Sequence, residues 1–109
     1  MTQVALVVEF RIVESRRDEF LALIGEHARR TSAEEPGCVQ FDVLEPFAVQ
    51  HLDGSVVDAD VDAVRLYEVY RDENAFATHL DSPLLPTLRA AYRDMVRQRR
   101  IIRCHVRPS

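Results

Sequence analysis

The chain is 109 residues long, 47% hydrophobic and 29% charged, with a formal charge of -4 at neutral pH. That length fits one domain with an adequate core, and the acidic balance disfavours broad nucleic-acid binding. No apolar run is long enough to span a bilayer, and the N-terminus lacks a basic segment ahead of a cleavable apolar stretch. The expected location is therefore the cytoplasm, with neither membrane nor nucleic acid as a partner.

Val4, Leu6, Val8, Phe10 and Ile12 alternate strictly, as a strand requires, and Ala5 and Val7 make the other face apolar at its start. Ser15 to Asp18 is an S-x-x-D helix start, and Phe20, Leu23, Ile24 and His27 form the apolar stripe behind it. Pro36-Gly37 ends the connection, and Val39, Phe41 and Val43 alternate against Gln40 and Asp42 in a second strand. The segment from Pro46 to Ala63 is longer than ordinary hairpin connections and rich in Asp and Val. It is expected to lie over a pocket mouth or a partner subunit, as a lid or an arm.

Val64 to Leu80 reads as a strand that turns directly into a short helix. Leu66, Glu68 and Tyr70 share one side of the strand, while Tyr67 and Val69 take the other. Asp72 stands where an N-cap belongs, and Glu73 lies in the first turn, where the helix dipole favours a carboxylate. Phe76, His79 and Leu80 are spaced i, i+3, i+4, so His79 shares the face that buries against the sheet. Ser82-Pro83 is a cap-plus-N1 pair for a further helical stretch carrying Leu85, Leu88, Tyr92 and Met95, with Pro86 able to delay its start by a turn. Ile101 to Val106 closes as a strand. The predicted class is α+β: a single domain over residues 1–109, ferredoxin-like in its β-α-β-β-α-β order, with an antiparallel sheet and the second helix broken at Ser82. Helices cover only one face of such a sheet. Ala5, Val7, Tyr67 and Val69 leave the other face apolar, and a homodimer whose two sheets face each other as a barrel would bury it.

Several chemistries find no support in the residues. Cys38 and Cys104 are too few and too far apart for a metal motif or a disulfide framework. All fourteen basic residues are arginine, a mark of a GC-rich genome rather than of a binding surface. Three glycines leave no G-x-G-x-x-G or Walker-type loop. The acidic run Asp58, Asp60, Asp62 fails as a calcium loop, because Ala63 stands at its sixth position and Val69 at its twelfth. What remains is proton transfer. His79 is the first candidate for a general base, since an unperturbed imidazole titrates near ~6.5. The competing reading is a hydrogen-bonded core histidine beside Phe76, and His27 on the first helix poses the same choice. Glu68 and Tyr70 face one side together; a buried Glu68 would need a partner such as Arg65, Arg103 or the other subunit. Asp42 could pair with an arginine across the sheet. Arg97, Arg99, Arg100, Arg103 and Arg107 could hold an anionic substrate or simply be solvated.

PGCVQFDVL (Pro36–Leu44), LYEVYRDENAF (Leu66–Phe76) and the following His79-Leu80 occur in order at characteristic spacing. Together they resemble the antibiotic biosynthesis monooxygenase superfamily over nearly the whole chain, apart from residues 46–63. With His27, they are especially similar to the isomerase of a phosphorylated autoinducer and to the small quinol monooxygenases. The resemblance implies a dimeric α+β barrel with one pocket per subunit between sheet and helices. It also implies chemistry without metal, flavin or heme, with a small molecule and molecular oxygen as partners. Catalytic roles then fall to His79, Glu68 and Tyr70, and substrate contacts to His27, Phe41, Asp42 and Phe76. Two departures from the pattern bear on the choice. The heme-degrading branch needs a tryptophan, but the chain has none, His79 takes that position, and Arg89 falls about where the ligand histidine would be. The isomerase has a basic residue before FDVL and a histidine after the short helix, where this chain has Gln40 and Leu84. The function expected is cofactor-independent monooxygenation of a small aromatic, phenolic or quinol substrate. The alternatives are isomerisation of a small hydroxy-ketone and non-catalytic ligand binding by a dimeric module.

Overall fold

The computed structural model describes residues 2–108. Strand β1 (Val4–Ile12) carries the alternating series, and all five of its even-numbered residues are buried under the helices. It lies at the centre of a four-stranded antiparallel sheet. Strand β5 (Ala63–Tyr70) flanks it on one side and β6 (Val96–His105) on the other, while β2 (Cys38–Leu44) pairs with the far edge of β5. The order β2-β5-β1-β6 is the ferredoxin-like arrangement expected from the sequence.

Helix α1 (Arg17–Glu34) follows a single 3-10 turn at Glu14–Arg16. Phe20, Ile24, His27, Ala28 and Thr31 face the sheet with helical spacing. The Ser15 cap is not used. Arg16 N–H already donates to Val13 O across the 3-10 turn (2.9 Å), so Ser15 sits inside that turn and no side chain caps α1. Asp72 does cap α2 (Glu73–Leu80), accepting from Ala75 N at 2.8 Å. Helix α3 (Leu84–Tyr92) starts one residue later than the Ser82-Pro83 pair predicted: Pro83 takes the N-cap place, and Ser82 Oγ accepts from Leu84 N instead. Pro86 causes no delay, because the first-turn N–H it lacks has no intrahelical acceptor. Phe10 packs edge-on against both Phe20 and Tyr92 between sheet and helices, with Phe10 and Phe20 centroids 5.0 Å apart.

Residues 46–63 are not structureless. Strands β3 (Ala48–Gln50) and β4 (Val56–Asp58) pair as a hairpin, turned at Asp53-Gly54 where Gly54 adopts φ 88°. Arg11 holds the base of this excursion, reaching Asp60 at 2.7 Å and Asp62 at 2.8 Å, so the acidic run answers an arginine. The hairpin residues Phe47, Leu52 and Val56 are exposed. Strand β6 begins five residues earlier than Ile101, because its first half is polar on both faces. None of the described helices is long and apolar enough to cross a membrane.

Candidate active site

Between the helix-covered face of the sheet and the three helices lies a cavity of about 70 Å³. Its floor is built from rows across the sheet. Leu6 stands opposite Glu68 on one side and Arg103 on the other; Val8 stands between Leu66 and Ile101; Phe10 lies between Val64 and Arg99. Strand pairing therefore decides what parity alone could not: Glu68 and Tyr70 face the helices, not the open side of the sheet. Ile24 and His27 close the cavity from α1, Phe76, His79 and Leu80 from α2, and Leu85, Leu88 and Arg89 from α3. Leu and Phe side chains dominate the walls, with polar groups at only a few points, as small-molecule sites require.

Glu35, His79, Glu68 and Tyr70 form a line along one side of the cavity. Glu35, just past the end of α1, receives His79 Nδ1 at 3.0 and 3.1 Å on its two oxygens. His79 Nε2 lies 3.6 Å from Glu68 Oε1, and Tyr70 Oη donates to that same oxygen at 2.7 Å. His79 is only 4% exposed. An ionised carboxylate only accepts, so Glu35 assigns the proton to Nδ1 and leaves the neutral ring's lone pair on Nε2. Burial pushes the Glu68 carboxyl above its usual range, against the pull of the Tyr70 hydrogen bond. Burial, with Glu68 beside it, also raises Tyr70, which stays a phenol. His27 is pushed down to about 4, chiefly by burial and then by its neighbours His79 and Arg30, so it is neutral at pH 7. The two imidazole centroids lie 6.2 Å apart.

The Pro36-Gly37 turn explains how Glu35 comes to His79. Gly37 O accepts from Arg71 N at 2.8 Å, tying the turn to the end of β5. A methyl group on Gly37 would collide with Cβ of Ala75, so only glycine lets the turn lie this close to α2.

A protein-family model for antibiotic biosynthesis monooxygenases matches residues 3–98. The chain belongs to this family. No curated protein matches it in sequence. Among solved structures, a Caulobacter crescentus protein provisionally described as an antibiotic biosynthesis monooxygenase superposes with TM-score 0.81 at 16% identity, covering 98% of this chain and 92% of its own. A Nitrosomonas europaea protein, provisionally described in the same way, gives 0.75 at 21% identity, over 95% of this chain and 89% of that one. A variant of SnoaB, a cofactor-independent oxygenase from Streptomyces nogalater, gives 0.72 at 19% identity, over 98% and 95%. At these identities the likeness carries the fold.

In this member of the antibiotic biosynthesis monooxygenase family, four sequence-predicted site residues line the cavity: His27, Glu68, Phe76 and His79. Tyr70 stands behind Glu68 and Phe41 packs edge-on behind His27, with centroids 5.6 Å apart; both shape the wall from outside it. Asp42 does not belong to the site. Its register opposite Tyr67 places it on the open face, where Gln40 Nε2 donates to it. Alternation explains the error, since Phe41 and Asp42 are neighbours in one strand and must point to opposite sides. No arginine partners Glu68; Tyr70 and His79 do. Sequence reasoning missed Glu35, because Glu34-Glu35 reads as the solvated end of a helix and its partner lies 44 residues away. No His, Cys, Asp and Glu cluster suited to a metal ion exists among the described residues.

Proposed function

We propose that this chain is a cofactor-independent monooxygenase of small phenolic or quinol substrates, with His79 as its general base. The observation that carries the reading is the Glu35–His79 contact, which leaves Nε2 as the acceptor on a largely apolar cavity wall. A substrate hydroxyl gives its proton to Nε2, and Glu35 stabilises the imidazolium that forms. The electron-rich phenolate then passes an electron to O₂, and the two radicals recombine at a ring carbon. Loss of water from the resulting hydroperoxide leaves a quinone: phenol plus O₂ gives quinone plus water, with one oxygen atom in each product. Phe76 and the leucines hold the ring and keep bulk water from the anion. The working form in this reading is a homodimer joined through the open sheet face, where Val7 and Tyr67 are half-buried and Ile102 is exposed in the single chain.

A second reading draws on Glu68. A buried carboxyl with a raised affinity for protons, 3.6 Å from the base, supplies the acid that isomerisation of a hydroxy-ketone needs beside a base. Oxygen consumption separates the two. With a hydroquinone substrate, the proposed enzyme takes up one O₂ per hydroxyquinone formed and releases water rather than hydrogen peroxide, and His79→Ala lowers that rate by about 10²–10⁴-fold with the fold intact. Full oxygenase activity in a folded His79→Ala variant would overturn the assignment.

A further inference from the structure

Eight of the fourteen arginines are matched by acids, whereas Arg93 and Arg97, outside the cavity, make no hydrogen bond or ion pair among the described residues. Arg11 holds Asp60 and Asp62, Arg100 and Arg65 share Glu9, and Arg17 reaches Glu45. The three that line the cavity have no acid either. Among the described residues, Arg89 and Arg103 make no hydrogen bond or ion pair, and Arg99 donates only to the neutral Tyr92 hydroxyl at 3.2 Å. What sets these three apart is position: three unmatched cations border one largely apolar cavity in a chain of net charge -4.

Their positions relative to the acid–base line are set by the sheet. Arg103 shares a row with Glu68, separated by Leu6 of the central strand, so about 10 Å of sheet lies between their Cα atoms. Arg99 is on the same face of β6, about 13 Å further along the strand. Arg89 approaches from α3. The Arg103 guanidinium lies over the Phe76 ring, 5.3 Å from its centroid, which directs it along the cavity wall. The cavity thus has a proton-transfer side on β5 and α2 and a cationic side on β6 and α3.

We infer that the substrate carries an oxyanion, a carboxylate or a phosphate, held by Arg99, Arg103 and Arg89 while its hydroxyl faces His79. The inference rests on the proposed oxygenase reading for the location of the site, and it narrows the substrate class. Guanidinium groups suit this task, because their planar donor fork matches the paired oxygens of such anions. An apolar ring between the two ends would fill the Leu- and Phe-lined middle of the cavity.

The test is equilibrium binding under argon, where no turnover occurs, using benzene-1,4-diol, its 2-carboxylate and its monophosphate ester. At least one charged probe should bind about tenfold or more tightly than the neutral diol, and high salt should reduce the difference. In the double variant R99Q/R103Q that preference should fall below about threefold, while Arg29→Gln, which removes an equal charge from the far side of α1, keeps it. If the double variant fails to fold, the single variants R99Q and R103Q, each of an exposed side chain, give the same readout at about threefold. Equal or tighter binding of the neutral diol, a preference that survives in both single variants, or no binding of any probe would overturn the inference. His79→Ala should keep the preference, so failure of the base assignment and failure of the anion site are read separately.

Discussion

The sharpest consequence of the site geometry concerns Glu35, a residue that touches no substrate in the proposed reaction. Replacing it by Gln preserves size and leaves a carbonyl oxygen able to accept from His79 Nδ1, but removes the charge. A hydrogen bond to an ionised partner contributes about 1.5–3 kcal/mol against about 0.5–1.5 for a neutral pair. The loss falls on the imidazolium formed as the substrate proton transfers. A difference of about 1–2 kcal/mol corresponds to roughly a 5- to 30-fold lower kcat. Should the amide turn its NH₂ toward the ring, it would donate to Nδ1, force the proton to Nε2 and remove the base altogether, so the loss would be larger. Either way KM should change little, because Glu35 is not among the residues lining the cavity.

Oxygen-electrode rates on wild type, Glu35→Gln, His79→Ala and the double variant complete the measurement. Once His79 is gone, Glu35 has no ring to orient, so the double variant should be no slower than His79→Ala alone. Additive losses would refute the argument, since Glu35 would then act on something other than His79. An unchanged rate in Glu35→Gln, with the fold intact, would refute it equally.

Three further outcomes follow from the same structure. Gly37→Ala should cost about 1–3 kcal/mol of stability and lower turnover by moving the turn away from α2, and adding Ala75→Gly should restore much of the activity; thermal melts and oxygen uptake on the pair check this. His27 has a folded-state pKa of about 4 against 6.5 unfolded, so its contribution is fully present above pH 6.5 and is lost as pH falls toward 4, because the unfolded chain takes up the proton first. Urea unfolding at pH 7 and 4.5 should therefore show wild type losing about 2–3 kcal/mol more than His27→Gln, and equal losses would refute it. Sedimentation at low micromolar concentration should give a dimer, and Tyr67→Arg on the open sheet face should yield monomers; a stable, folded wild-type monomer would defeat the dimer proposal.

The fold was legible where a local pattern sufficed. Five alternating apolar residues define β1, and Asp72 announces α2, because strand parity and capping depend on a few neighbours. Patterns failed where burial was weak. Arg97 to Arg100 hide the first half of β6, since an exposed edge strand need not alternate. The hairpin carries an Asp53-Gly54 turn signal, but its three-residue strands are too short for a period to show. The site was legible in half. His79 could be placed on the inward face of its own helix, whereas the side of the sheet that Glu68 meets depends on pairing with Leu6, and Glu35 depends on a contact 44 residues away. Asp42 shows the converse: a residue within a recognisable motif is not thereby in the site when strand alternation turns it outward.

The two sides of the cavity are built to different standards, and this separates what each can do. The acid–base side is over-determined. Gly37 lets the turn approach α2, the bond from Arg71 N to Gly37 O pins that turn to β5, and Asp72 holds the start of the helix that carries His79. Both nitrogens of the ring consequently face carboxylates on rigid elements, which fixes where the lone pair points before any substrate arrives. The β6 side has no such bracing: its arginines are exposed, long and flexible, and only Phe76 and Tyr92 steady them. Proton transfer depends steeply on geometry and needs the first kind of construction, while holding a charged group tolerates the second. Substitutions at the corner should therefore change kcat, and substitutions on β6 should change KM. A kcat loss from Arg99→Gln as large as that from Glu35→Gln, with KM unchanged, would contradict this division.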